Sequence, residues 1–359
     1  MGRFAKALFL FFIVAACVDP LTITDASDSK RVLVVDGLMT DKPGPYEVRL
    51  YYSHRLGTSK LTAFEPVQGA SVSIIDDEGA SYALTEFASG RYRSGPELTG
   101  EIGKAYKLHI MSADREYESP LQTIKPAGQI EELDLALNQS SSDGPRLDIY
   151  VDARGEVGYD NLLRWRWTTI HTTKANPEQK VRLTPGGAIP EPEPCSGYLI
   201  QNGQLVQVGE CTCCICWSYN YSEGAFVSQN SFANELDFND QFLGSIPLSA
   251  MHFYEKYYIE VDQFSLSEEV YDFWNLVEKQ QKGSTDLFQP NAFRVRGNMT
   301  CTTDPDEEVL GIFSVSAVTT YTHYIDPASI PYEPGEPELV PFSCLDYFKN
   351  PTTERPPFW

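Results

Sequence analysis

Apolar and polar residues alternate along much of this chain with a period of two. Tyr46-Glu47-Val48-Arg49-Leu50-Tyr51 and Leu147-Asp148-Ile149-Tyr150-Val151-Asp152 are the clearest cases. Such alternation marks a strand with one buried face and one wet face. Val32-Leu33-Val34-Val35-Asp36-Gly37 reads as a strand before the turn Asp41-Lys42-Pro43-Gly44-Pro45. The rhythm continues through Ala70 to Ile75, Tyr82 to Leu84, Gly90 to Arg93, Tyr106 to Ile110 and Tyr117 to Ser119. Short strands at roughly 8–12-residue spacing, separated by turn residues, predict a small sandwich of immunoglobulin-like type. We place it over residues 31–128, closed by Lys125-Pro126-Ala127-Gly128.

Residues 129–359 predict a second β-rich domain. In Leu163-Arg164-Trp165-Arg166-Trp167 the three apolar side chains share one face and the two arginines share the other. Tyr257 to Val261, Phe293 to Arg296 and Val309 to Phe313 are further strand candidates. Thr184 to Pro194 is dense in Pro and Gly and predicts an irregular loop. One helix interrupts the pattern. Ser265-Leu266-Ser267-Glu268 reads as a capping box, Leu266, Val270, Phe273, Trp274 and Val277 follow helical spacing, and Gly283 ends it. We expect it near 267–282, packing its aromatic stripe on its own sheet. The tail Pro356-Pro357-Phe358-Trp359 predicts a buried anchor.

The first residues follow a different logic. Arg3 and Lys6 precede an apolar run from Ala7 to Ala16, and Val14-Ala15-Ala16-Cys17 ends it. The run is shorter than the roughly 20 residues a spanning helix needs. It reads as a cleaved export leader over 1–16. Cys17, directly after two small residues, resembles a lipobox cysteine that receives acyl chains. Each buried methylene stabilises such an anchor by about 0.8 kcal/mol, so several chains hold a protein at a bilayer. Residues 17–30 are short and polar and read as a tether.

Composition narrows the reading. About 340 residues follow the anchor, more than one core usually holds. A 42% hydrophobic fraction suits a globular fold over disorder. The formal charge is −22, and more negative once Arg3 and Lys6 leave with the leader. Such a surface repels phosphate backbones, which argues against nucleic-acid binding, and it also serves simply to keep an exported protein soluble.

Several separated segments resemble one family in the same order. They include Val34-Val35-Asp36-Gly37, Gly69-Ala70-Ser71-Val72, Arg164-Trp165-Arg166-Trp167, Ser265 to Trp274, Arg296-Gly297-Asn298 and Pro305 to Phe313. The chain is identified as a member of the Bacteroidota lipoproteins defined by domain of unknown function 4249. The resemblance implies a signal peptide, a lipobox, two β-rich parts and an outer-membrane location. It also implies a partner, a TonB-dependent transporter, in nutrient uptake or channel assembly. The family carries no established catalytic residues. Asp19, Asp25 and Asp28 are scattered, not in a dense acidic run after Cys17, which leaves both faces of the membrane open.

Candidate chemistry is sparse. Beyond Cys17 there are seven cysteines: Cys195, Cys211, Cys213, Cys214, Cys216, Cys301 and Cys344. Cys211/Cys214 and Cys213/Cys216 have metal-knuckle spacing, but an oxidising envelope favours disulfides. Seven is odd, so one thiol is free or paired between chains. Asp76-Asp77-Glu78 and the acidic group Asp304, Asp306, Glu307 and Glu308 offer hard oxygens for Ca²⁺ without the periodicity of a calcium loop, and read as solvated turns. Arg164 and Arg166 are expected to pair with carboxylates on neighbouring strands, with an anionic ligand as the alternative. His54, His109, His171, His252 and His323 form no ligand spacing. No zinc-protease helix, nucleophile elbow or phosphate loop is present. We therefore expect no cofactor and no bound metal, and a non-enzymatic interaction protein. A free-standing glycan- or peptide-binding module and a hydrolase with loop-borne carboxylates are the alternatives.

Overall fold

A computed structural model describes residues 31–53, 64–140, 144–228, 236–253, 255–283, 295–332, 335 and 339–359. The expected leader and tether, with Cys17, and His54, Phe293 and Arg294 lie outside the described residues. The fold is mainly β with one main helix, as the alternation predicts.

The strands Val32–Thr40 and Glu47–Ser53 pair antiparallel with Val35 opposite Leu50. Both of those side chains are buried, as the period-two pattern requires. From Glu47–Ser53 the sheet runs through Arg91–Arg93, Ser81–Ala88, Ser71–Asp76, Ala105–Ser112 and Arg115–Glu118. Ser81–Ala88 turns the corner, pairing with Ser71–Asp76 through its first half and with Arg91–Arg93 through its second. Both ends of this path come from one late stretch of chain. Thr300–Cys301 pairs with Arg115–Glu118 at one edge, and Val309–Ser316 pairs parallel with Val32–Thr40 at the other. The sheet therefore curls almost to closure around a core that includes Leu33, Leu50, Ile74, Leu108, Tyr117 and Phe313. The pairing does not by itself identify an immunoglobulin-like topology. Val295 and Arg296, expected in a strand, are not in one.

Two glycines of the matching motifs permit this closure. Gly311 sits at φ +83°, where a Cβ would lie 2.0 Å from the Val35 carbonyl oxygen. A Cβ on Gly297 would lie 1.4 Å from the Gly311 carbonyl oxygen. Only a residue without a side chain lets these backbones approach so closely. The Asn298 Nδ2 and Gln122 Nε2 then both donate to the Phe313 carbonyl, at 2.7 and 3.0 Å.

Two larger sheets and two separate two-stranded hairpins form the rest. Gln129–Asn138, Arg146–Arg154 and Asp237–Pro247 make the smaller. The larger runs Val318–Ile325, Tyr257–Ser265, Leu163–Lys174, Ile215–Tyr221 and Pro351–Thr352, with Phe226–Val227 also pairing Leu163–Lys174. Their facing sides enclose a second core of Ile149, Val151, Leu163, Trp165, Leu243 and Ile259, among others. Leu163 and Trp165 point inward as predicted, and the Trp167 Nε1 donates to the Leu243 carbonyl at 2.6 Å.

The helix spans Glu268–Gly283. Its capping residue is Ser267, whose Oγ accepts from the Val270 N–H at 3.4 Å. Ser265, expected in that role, instead donates to the Lys125 carbonyl at 2.5 Å and accepts from the Ala317 N–H at 3.0 Å. Leu266 and Val270 bury against Phe264, Ile312 and Val318, with Phe273 and Trp274 partly covered beside them. The helix thus packs where the late strand of the first sheet meets the larger of the other two.

Candidate interaction surface

The strands Leu163–Lys174 and Ile215–Tyr221 pair with each other, with Lys174 opposite Ile215. The 40 or so residues between them project as an arm, far longer than the few residues of a common hairpin connection. The arm holds two small hairpins, Val181–Thr184 with Gly187–Pro190 and Tyr198–Gln201 with Gln204–Gln207. The stretch from Thr184 to Pro194 is therefore partly strand, not wholly irregular. Pro185-Gly186 make the turn, Gly187 leaves it at φ +121°, and the Thr184 hydroxyl donates to the Gly187 carbonyl at 2.8 Å. These strands face solvent on both sides, so no buried alternation marks them in the sequence.

Cysteines brace the arm. Cys195–Cys213 and Cys211–Cys214 close its base, and Cys216–Cys344 ties the adjoining strand to the short helix Cys344–Tyr347. Both two-residue spacings are thereby consumed, and no thiolate pair is left there for a metal. Cys301, the odd cysteine, is a buried free thiol in the first core. An isolated hairpin is marginal in water; the Cys195–Cys213 bond encloses the second of these two, and the Lys180–Glu193 ion pair at 2.6 Å holds the foot of the first. They carry large aliphatic side chains into solvent: Leu183 is 82% exposed, Val208 53% and Leu199 51%, with Val181, Ile189 and Leu205 also exposed. These side chains make the arm the candidate contact surface of the described residues.

The arginine strand behaves differently from expectation. Arg166 pairs loosely with Asp262 at 3.7 Å and lies over the Phe264 ring at 4.8 Å. Arg164 has no carboxylate within ion-pair distance among the described residues, because its cross-strand neighbours are Phe264 and Val227. Its guanidinium stacks on the Trp274 ring at 3.6 Å. Burial, with the charge of Arg166 adding to it, pushes its pKa down to about 9, so it stays charged at neutral pH.

The acidic turns satisfy themselves. The Asp76 carboxylate accepts from the Ala80 and Glu78 N–H groups at 2.8 and 3.1 Å and from the Tyr82 hydroxyl at 3.2 Å. Asp304 and Glu307 are held by Arg115 at 2.8 and 3.4 Å, and the Tyr117 hydroxyl donates to Glu307 at 2.7 Å. These residues line a cleft with Arg31, Tyr52 and Glu308. One grouping escapes a reading by spacing along the chain. His109, Glu116 and Glu118 bring ligand atoms within 4.8 Å of one another across a hairpin in which His109 faces Glu118. The His109 Nε2 is already 2.7 Å from Glu116, and Lys107 holds Glu118 at 2.8 Å. Hairpin register was the signal that could have found it.

His171 and His252 also meet, ring centroids 4.7 Å apart, with His171 stacked on Tyr257 at 5.3 Å. His171 is 2% exposed, and burial lowers its pKa to about 3; burial lowers His252 as well. The native imidazole is thus neutral at pH values where the unfolded chain takes up a proton. Stability is full above about pH 6.5 and falls as pH drops toward the folded pKa, by up to about 1.4 kcal/mol per pH unit per group. Urea unfolding of wild type between about pH 6 and pH 4 should show that slope, reduced in His171→Phe. An unchanged slope in the variant would assign the acid sensitivity to carboxylates instead.

The tail does not bury its end. Phe358 is 49% exposed, packing its ring on Tyr258 at 4.7 Å, while the Lys256 amine lies over the Tyr324 and Trp359 rings. It docks on the outer face of the larger sheet, over Tyr258 and Tyr324 of its last two strands.

These features define a mainly β protein with a curled first sheet, a second two-sheet core and a disulfide-braced apolar arm. The chain matches the family described as Domain of unknown function (DUF4249) over residues 18–322, and it belongs to that family. No curated protein matches it.

Proposed function

We propose that this protein is an exported lipoprotein, anchored at the outer membrane through Cys17, that acts by contact with a TonB-dependent transporter and not by catalysis. The observation that carries the contact reading is the braced arm, with Leu183, Leu199 and Val208 standing in solvent. A surface already held in one conformation loses little entropy on docking, and burying its aliphatic side chains drives association. The compartment is supported by the leader and lipobox before Cys17 and by three disulfides, which persist in oxidising surroundings. The choice of partner rests on the resemblance to Bacteroidota lipoproteins associated with such transporters.

A pull-down from native membranes in mild detergent tests it. Wild type should recover a stoichiometric β-barrel transporter. The double variant Leu183→Asp, Leu199→Asp should recover about tenfold less or lower, since centrally placed anchors dominate interface energy. Its unfolding midpoint should not move, because both positions are exposed. Recovery of the lipoprotein alone from wild type would overturn the transporter reading in favour of a free-standing glycan- or peptide-binding module.

A further inference from the structure

We propose that Arg164 is the recognition group of an oxyanion-binding site, taking a carboxylate or phosphate group of a ligand with Arg166 beside it. The inference is independent of the partner reading.

The strand Leu163–Lys174 turns Leu163 and Trp165 into the second core and Arg164 and Arg166 to the opposite face. A guanidinium removed from water is normally matched by a carboxylate, because its charge is otherwise uncompensated. Among the described residues Arg164 has no such match within ion-pair distance. Asp36 is the carboxylate whose field reaches it, but only at long range, and Asp36 is itself exposed and 3.9 Å from Arg49. Asp262 is shared between Arg166 and the Thr320 hydroxyl, which donates to it at 2.7 Å. Among the described residues, Asp262 is therefore the one carboxylate within ion-pair distance of either guanidinium, on a chain whose overall charge is −22.

The covering of Arg164 is uneven. Its Nε is sealed from solvent without an acceptor, while the residue as a whole is only partly buried. The two Nη atoms are not among the sealed, unpartnered atoms. The Trp274 ring lies 3.6 Å from the guanidinium carbon and backs the group on one side. A guanidinium backed by a ring, with Nη donors not sealed away, can offer two parallel hydrogen bonds to a carboxylate or phosphate. Partial burial strengthens that pairing by lowering the local dielectric, and Arg166 adds positive potential.

The test is thermal unfolding of the full chain in non-ionic detergent, with succinate or inorganic phosphate titrated against chloride at matched ionic strength. Wild type should show a saturable rise in Tm, as a ligand bound only to the folded state produces. Arg164→Met should melt higher than wild type in chloride, because the uncompensated charge is gone, and should lose the saturable rise. Arg164→Lys keeps a charge but not the fork, and should bind about tenfold more weakly or worse. A response to succinate without phosphate would assign a carboxylate ligand, and the reverse a phosphate ligand; both support the site. Equal anion responses in wild type and Arg164→Met, or no saturable response in wild type, would overturn it. If Arg164→Met does not fold, the Arg164→Lys titration decides alone, with undiminished affinity counting against the proposal.

Discussion

Replacing Cys216 and Cys344 together by alanine should lower the stability of the fold by about 5 kcal/mol, the largest effect of any pair of substitutions in the arm region. The bond closes a sequence separation of 128 residues. In the chain-entropy account, a crosslink restricts the denatured ensemble more as the loop it closes lengthens, so the ranking follows from the loop lengths. Cys195–Cys213 spans 18 residues and Cys211–Cys214 spans 3. Their removal should cost about 3 and about 1.5 kcal/mol by the same relation. Location widens the gap. Cys216 and Cys344 lie in a small cluster with Ala175, Val340 and Phe348, so two alanines there also leave a void. The other two bonds sit at the base of the exposed arm, and their loss should loosen the arm while the body stays folded. Urea unfolding of the three double variants measures the order. A Cys211/Cys214 variant as destabilised as the Cys216/Cys344 variant would sink the argument. The arm bonds should show instead in partner recovery, which links covalent bracing to the proposed contact.

The sequence was most legible where one face of a strand is buried. Glu47–Ser53 and Arg146–Arg154 were visible because their inward residues recur every second position. The helix was visible because Val270, Phe273 and Trp274 share one face, although its cap fell two residues later than the first serine. Gln129–Asn138 was missed because its apolar set shifts at a bulge between Ile130 and Glu132, which breaks the period. Asp237–Pro247 was missed for the same kind of reason, with irregularities at two points of its pairing with Arg146–Arg154. The parallel pairing of Val309–Ser316 with Val32–Thr40 joins positions far apart in the chain, and alternation says nothing about which strands become neighbours.

The candidate site was legible in its residue types and not in its geometry. Seven cysteines implied disulfides and one leftover thiol, but connectivity depends on which strands lie together, and spacing cannot supply that. Arg164 and Arg166 looked equivalent on an alternating strand. They differ because Asp262 stands opposite Arg166 whereas Phe264 stands opposite Arg164. The apolar residues of the arm looked like loop filler, since exposure on both faces erases the pattern that marks a strand.

Trp165→Ala should lower stability by about 3–5 kcal/mol, and Trp165→Phe by about 1–3 kcal/mol. Trp165 is 1% exposed, with its ring 6.2 Å from that of Phe238. Phenylalanine keeps much of that packing, so its cost reports chiefly on the indole N–H. This N–H donates to the Gln263 Oε1 at 2.7 Å, and the Gln263 Nε2 donates to the Ala127 carbonyl at 2.6 Å. Gln263 is fully buried, so an unmatched oxygen there has no water to turn to. A double-mutant cycle of Trp165→Phe with Gln263→Ala should give a coupling of about 1–2 kcal/mol. The relay reaches beyond one side chain. The segment joining the first sheet to the second core is gripped at three carbonyls: Lys125 by Ser265, Ala127 by Gln263 and Gly128 by Thr319. Loosening the middle grip should therefore be felt on both sides of the join. Near-UV circular dichroism and urea unfolding of Trp165→Phe should move together in one cooperative transition. Two separated transitions, one unshifted from wild type, would show that the first sheet unfolds without regard to the second core, and that the relay through Gln263 couples nothing.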